Sequence, residues 1–326
     1  MKKIVIIGAG AMGSAFSVPC ADNKHDVYLV GSFLEDDLVD EINKLDNFHP
    51  VLKCQLPKKL NVIKFSEFND QIYKDIDLLV VGVSSKGIDW IGDEISKIYS
   101  EKTDILLLTK GLTIINNQFQ TLAEKLKQSL NKHKINNPKI SAVGGPCLAN
   151  GLANRINSSV ILANENLDIV KNIGKMISTE YYSTEYSDDL IGVEVCAATK
   201  NIYSMLIGAG QNLNTSSSLF QRSINEMKYL TRYFKGKEST TLGLAGVGDL
   251  YVSAAGGRNS KMGSYLGKGY TFKTAKKKFM PNETVEGEQL IREIAPFILR
   301  KMNKTRIPLM VNLIRAILKN KKLKVI

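Results

Sequence analysis

Hydrophobic and polar positions follow two different rhythms along this chain. In the first half, short apolar runs alternate with stretches of helical spacing. Residues 3–8 read as a buried strand, and the glycines that follow as the turn into a helix running to about residue 23. Asp26–Val30 predicts a second strand. Leu78–Val83 and Ile105–Thr109 are continuous apolar runs, as central parallel strands covered on both faces require. Ile140–Val143 and Ser159–Ala163 extend the series, with helical spacing near 86–99, 116–132 and 166–178. Strands alternating with helices predict a doubly wound sheet over roughly the first 180 residues.

From Asp188 onward the strand pattern stops. Asp188 or Asp189 is placed to cap a long helix of apolar and small residues continuing to about Leu213. Further helices are predicted at 216–235, 239–246, 260–267, 271–278, 286–301 and 306–319. The expected fold is α/β: an N-terminal Rossmann-type doubly wound sheet over residues 1–185, then an all-helical C-terminal domain over 186–326. Neither internal repeats nor low-complexity segments interrupt it.

At 326 residues the chain has length for two domains and a substantial core. Its 44% hydrophobic and 23% charged residues are ordinary for a globular protein and exclude a disordered one. No uninterrupted apolar run approaches the ~20 residues of a membrane span. The opening Met1-Lys2-Lys3 followed by apolar residues imitates a signal peptide, but glycines end the run after about five residues, so it reads as a strand. Cys20, Cys54, Cys147 and Cys196 are scattered without metal-type spacing. No metal is expected, and free thiols imply a cytoplasmic location. Only Cys147 is expected near a ligand. The net charge of +12 favours anionic partners. Lysines are spread along the whole chain without aromatic interleaving, so no nucleic-acid partner is expected. The clusters at 273–278 and 320–324 read as solvated helix faces.

The glycines Gly8, Gly10 and Gly13 stand in strand, turn, helix, strand order, the context in which this spacing binds a dinucleotide pyrophosphate. The bland alternative is a sharp turn without a ligand. A carboxylate at the end of the second strand favours NAD, and a basic residue there favours NADP. Val30-Gly31-Ser32-Phe33 carries neither, with Glu35 slightly later, and Ser32 suits either a hydroxyl or a phosphate. NAD and NADP both stay open. Lys110 follows an apolar strand at the edge where such sheets bind ligands, though a surface lysine is an equal reading. Gly144-Gly145-Pro146-Cys147 closes the next strand in the same way. Val193, Cys196, Ala197, Lys200 and Ser204 share one helical face, which puts Lys200 on the packed side. A desolvated ammonium is a proton donor, whereas most lysines pack a stem and let the head escape. Arg258 beside Gly256 and Gly257 reads as a loop guanidinium free to grip a phosphate, with Asp249 near to balance the lysines.

Together these segments resemble the NAD(P)-dependent glycerol-3-phosphate dehydrogenases over nearly the whole chain. The carriers are Gly8–Gly13, Thr109-Lys110-Gly111, Gly145-Pro146-Cys147, Gly192-Val193-Glu194 through Lys200-Asn201, Gly246–Asp249, Gly257-Arg258-Asn259 and Val285-Glu286-Gly287. The resemblance implies reversible hydride transfer between NAD(P)H and dihydroxyacetone phosphate, with Lys200 exchanging the hydroxyl proton and Lys110 and Asp249 as further catalytic candidates. It places Lys110, Gly145, Cys147, Asn201, Asp249, Ser253, Gly257, Arg258 and Asn259 against substrate. Gly8, Gly10, Ala11, Met12, Gly13, Ser32, Lys110, Ala149, Arg258 and Glu286 are the cofactor contacts expected. A homodimer and a place in lipid-precursor synthesis are expectations of the same kind. Two departures stand out: Gly151 where the family has an acidic residue, and Cys147, a weak donor, where serine or threonine is usual. The rival readings are a related reductase of another keto or sugar phosphate, and a non-catalytic nucleotide-binding protein.

Overall fold

The apolar runs become the middle of an eight-stranded sheet. The computed structural model describes residues 1–325, and its strands are β1 (Lys3–Ile7), β2 (Asp26–Val30), β3 (Asn61–Ile63), β4 (Leu78–Val81), β5 (Asp104–Leu107), β6 (Ile140–Gly144), β7 (Ser158–Ala163) and β8 (Tyr182–Ser187). Their order across the sheet is β8-β7-β6-β5-β4-β1-β2-β3. β1 pairs in parallel with β2, Ile4 opposite Val27, and with β4, Ile4 opposite Leu78. The chain steps outward from β1 to β3 and then crosses back to β4, so strand order reverses beside β1. That reversal opens a crevice at the carboxyl ends of the strands, where open α/β sheets bind ligands.

Alternation along β1 sends its side chains into two cores. Ile4 and Ile6 join Phe16, Leu29, Val80, Leu162 and Tyr182 on one face, while Val5 and Ile7 join Ile88, Ile95, Leu107, Leu126 and Leu130 on the other. Full burial of each such side chain contributes about 1.5–3 kcal/mol, which is why these runs need both faces covered. Helices α1 (Ala11–Asp22) and α2 (Asp36–Lys44) follow β1 and β2.

Several stretches differ from the sequence reading. The helical spacing at 116–132 holds only from Leu122, where a helix runs to Lys132. Before it, Leu112–Ile115 and Gln118–Thr121 form an antiparallel hairpin turned at Asn116 and Asn117, with φ of 51° and 59°. Asparagine tolerates this left-handed conformation, and β-branched Thr113, Ile114 and Ile115 favour the strand. The edge strands β3 and β8 and helix α2 lay outside the predicted elements.

Beyond Leu190 every regular element among the described residues is helical. Among them are α3 (Leu190–Gly208), α4 (Leu213–Tyr233), α5 (Asp249–Gly256), α6 (Arg258–Gly267), α7 (Glu286–Lys301) and α8 (Pro308–Leu318). α3 is buried on all sides from Gly192 to Ile207, not on one face as its spacing suggested. By length and composition it would cross a membrane, and 89% of that window is buried inside the protein. The chain divides into two compact units. One comprises residues 1–110, 122–143 and 147–190, and the other 111–121, 144–146 and 191 onward. The hairpin joins the helical unit because Phe119 stacks on Phe234, with ring centroids 3.4 Å apart, and Thr113 donates to Glu293 at 2.7 Å.

Candidate active site

In the sheet unit, β1 ends in a turn that tolerates little beyond hydrogen at two positions. Gly8 has φ +118°, and a Cβ there would meet the Gly82 backbone at 2.6 Å. A Cβ at Gly13 would lie 2.0 Å from the Gly8 carbonyl oxygen, so α1 seats directly on the turn. Gly10 is different: its missing side chain leaves an open concavity whose nearest atom is Glu35 Oε1 at 3.4 Å. Gly10 also occupies the N-cap of α1, and the first turn of that helix holds no carboxylate. Its amides and dipole therefore remain to bind an anion, with Ala11 and Met12 half-buried alongside. These features fit a dinucleotide pyrophosphate.

The end of β2 corrects the reading that it carries no acidic signal. Glu35 folds back so that its Oε2 accepts the Ser32 N–H at 2.7 Å and the Ala9 N–H at 3.1 Å. The Ala9 carbonyl is held as well, by the Ser14 hydroxyl at 2.8 Å and by His49 Nε2 at 3.2 Å. His49 Nδ1 accepts the Leu52 N–H, so its neutral tautomer donates from Nε2. Burial holds His49 below the usual histidine range. Lys110 is half-buried after Thr109, whose hydroxyl donates to the Val83 carbonyl at 2.6 Å. Cys147 is half-buried and in no disulfide, and Ala149 opens the short helix Ala149–Ala153. A Cβ at Gly151 in that helix would meet nothing closer than Ile156 at 3.8 Å.

In the helical unit, α3 and α5 bring three predicted residues together. Lys200 is 8% exposed, and its Nζ donates to Asp249 Oδ1 at 2.5 Å and to Ser253 Oγ at 2.8 Å. Asp249 and Ser253 are four residues apart and thus share one face of α5. A π-helical turn, Leu244–Gly248, leads straight into Asp249; such turns are frequent at functional sites. Beside Lys200, Asn259 Nδ2 donates to Asn201 Oδ1 at 3.2 Å, and Asn259 Oδ1 accepts the Gly287 N–H at 2.8 Å. Asn259 thus ties α3, α6 and α7 and turns the Asn201 amide NH2 into the donor at the end of the chain. Gly145, with φ +120°, also belongs to this unit.

Arg258 is not in a loop. Gly257 is the N-cap between α5 and α6, and Arg258 is the first residue of α6. Its guanidinium pairs with Glu286 Oε1 at 2.8 Å, with both side chains about half exposed. Such a pair is worth only ~0.2–1 kcal/mol, so an incoming anion displaces Glu286 at small cost. Among the described residues no group of three or more His, Cys, Asp or Glu is placed to hold a metal.

Two family models match the chain. The model described as NAD-dependent glycerol-3-phosphate dehydrogenase N-terminus matches residues 3–170, and the corresponding C-terminus model matches residues 189–326. The chain belongs to the NAD-dependent glycerol-3-phosphate dehydrogenase family. Among its relatives is the NADP(+)-dependent glycerol-3-phosphate dehydrogenase of Archaeoglobus fulgidus, 31% identical over 83% of this chain and 82% of that protein. The glycerol-3-phosphate dehydrogenase [NAD(P)+] of Bacillus pumilus is 27% identical over 99% of this chain and 92% of its own. A crystal structure of glycerol-3-phosphate dehydrogenase from Coxiella burnetii superposes with a TM-score of 0.82 at 25% identity, covering 98% of this chain and 95% of that one. In this dehydrogenase, sequence reasoning named Glu35 without giving it a contact and missed His49. Glu35 lies five residues past the end of β2, and only its place in an acidic run after a strand marked it.

Proposed function

We propose that this NAD(P)-dependent oxidoreductase interconverts dihydroxyacetone phosphate and sn-glycerol 3-phosphate, with the sheet unit holding the dinucleotide and the helical unit the substrate. The observation that carries the reading is the buried Lys200 ammonium, fixed by Asp249 and Ser253. The nicotinamide, when bound, supplies or accepts the hydride at the substrate C2. Lys200 gives a proton to the C2 oxygen during reduction and takes it back during oxidation. Asp249 and Ser253 hold its Nζ in one position, so charge at that oxygen meets a pre-oriented cation. Arg258 grips the phosphate or the cofactor's anionic half, its fork exchanging Glu286 for phosphate oxygens. In the helical unit the Gly145 backbone lines the substrate, and the Asn201 amide donates to one of its oxygens. Gly10, Ala11 and Met12 present the helix amides to the pyrophosphate, and Ser32 and Ala149 border the same site. The enzyme works in the cytoplasm as a homodimer.

Spectrophotometric oxidation of NADH and of NADPH, each with dihydroxyacetone phosphate, tests the proposal. Turnover with that ketone, and little with other keto acids or sugar phosphates, is the expected outcome. Preference for another phosphate would reassign the substrate, and binding without turnover would make the chain a nucleotide-binding protein.

A further inference from the structure

We propose that a basic face of the helical unit, formed by the helix Phe272–Phe279 and the segment after α8, seats the protein on the surface of an anionic lipid bilayer. Lysines occur throughout the chain, but net charge does not. Asn259–Asn282 carries six lysines and Ile294–Val325 nine lysines and arginines, with no aspartate or glutamate in either stretch. Those fifteen cations exceed the net charge of +12, so the remainder of the chain is on balance acidic. The fold then joins the two stretches. α8 ends at Leu318, Asn320 turns the backbone with φ 47°, and residues 321–325 run on without helix. The cluster at 320–324 is therefore not the helix face its sequence suggested. The Asn320 side chain accepts the Lys273 N–H at 3.1 Å, which fixes this segment against the first turn of Phe272–Phe279. Asn312 Nδ2 donates to the Lys324 carbonyl at 2.7 Å and holds the far end of the segment on α8.

An eight-residue helix is only ~12 Å long, so Lys273 and Lys277, one turn apart on it, stand close to Lys319, Lys321, Lys322 and Lys324. All six are exposed, and among the described residues none is paired with a carboxylate. Phe272 and Ala275 are buried on the other side, so the helix turns its cations outward. A polybasic segment gains from each lysine brought near an anionic leaflet, and the gain fades within a Debye length. A bilayer suits this face better than a nucleic acid does. Leu318 and Val325, at the two ends of the cationic segment, are 43% and 37% exposed, which sets apolar groups beside the lysines as an interfacial segment requires. Nucleic acids are gripped by stacking bases on open aromatic rings. Here Tyr265 and Phe279 stack on each other with centroids 4.4 Å apart, and Lys268 and Lys278 lie over those rings, so both are engaged within the protein.

Co-sedimentation of the full chain with vesicles tests this, using phosphatidylcholine alone and phosphatidylcholine with ~30 mol% phosphatidylglycerol at ~0.15 M salt. Binding to the anionic vesicles only is expected. Lys319→Gln/Lys321→Gln/Lys322→Gln/Lys324→Gln should lower that partitioning by at least ~10-fold, with melting temperature and turnover in solution unchanged. A control that removes the same charge from the sheet unit, Lys58→Gln/Lys59→Gln/Lys127→Gln/Lys132→Gln, should partition within ~2-fold of the wild type. Equal losses in the two variants would trace binding to total charge and overturn the assignment to this face. Failure to bind the anionic vesicles, or equal binding to phosphatidylcholine alone, would overturn the bilayer as partner. So would retention of a DNA duplex through these lysines by a protein that ignores vesicles.

Discussion

Single side chains divide here into those that act and those that hold. Lys200 is of the first kind, and its replacement should separate chemistry from folding. Lys200→Ala is expected to lower kcat by ~10²–10⁴. It also removes the buried cation beside the Asp249 carboxylate, and breaking a buried pair costs about 3–5 kcal/mol. The double change Lys200→Ala/Asp249→Asn should therefore regain much of the lost thermal stability while activity stays low. Full activity in either variant would remove Lys200 from the reaction. His49 is of the second kind. Burial lowers its pKa below the unfolded value of ~6.5, so the folded protein binds fewer protons. Its contribution is complete above ~pH 6.5 and is lost as pH falls through the folded value. His25 shifts the same way for the same leading cause. The melting temperature should thus drop on acidification below that point, and His49→Gln, whose amide still donates to Ala9, should show a shallower drop. Lys200 was legible because a charge inside an apolar run is conspicuous. Glu35 and His49 were not, since each reaches the glycine turn by a fold-back that no spacing in the sequence encodes.

At the level of elements, α8 begins with Pro308 and has no cap of its own. Glu226 on α4 supplies one: its carboxylate accepts the Leu309 N–H at 2.6 Å, the Met310 N–H at 3.0 Å and the Tyr203 hydroxyl at 3.1 Å. Burial raises its pKa against these donors, which act to lower it. Glu226→Ala would leave those donors buried without an acceptor, and it should cost ~2–3 kcal/mol in urea unfolding. Glu226→Gln, which keeps one oxygen, should cost about half as much; equal losses would mean packing alone is responsible. The strands and long helices were readable because continuous apolar runs and i, i+3, i+4 spacing leave few alternatives. The hairpin at 112–121 was not, since Ile114, Ile115 and Phe119 also satisfy a helical pattern. The paired asparagines at its tip were the overlooked sign. Similarly, the two glycines before Arg258 read as a loop, although a single Gly257 suffices to join two helices.

Over the whole molecule, the +12 charge acts as a field. Salt should weaken capture of a phosphate dianion, because the Debye length shrinks from ~30 Å at 0.01 M to ~8 Å at 0.15 M. KM for dihydroxyacetone phosphate is expected to rise over that range with kcat nearly constant, as initial rates against KCl would show. A salt-independent KM would confine the attraction to residues in direct contact. The path of the backbone has its own effect. It passes from one unit to the other five times, at residues 110, 121, 143, 146 and 190. A fragment starting at 191 would lack Phe119, leaving Phe234 without its stacking partner, and would lack Gly144 against Val193 and Ala245. No single cut of the polypeptide releases either half intact, so the two must mature together, and the pieces cannot be exchanged between proteins by simple end-to-end fusion.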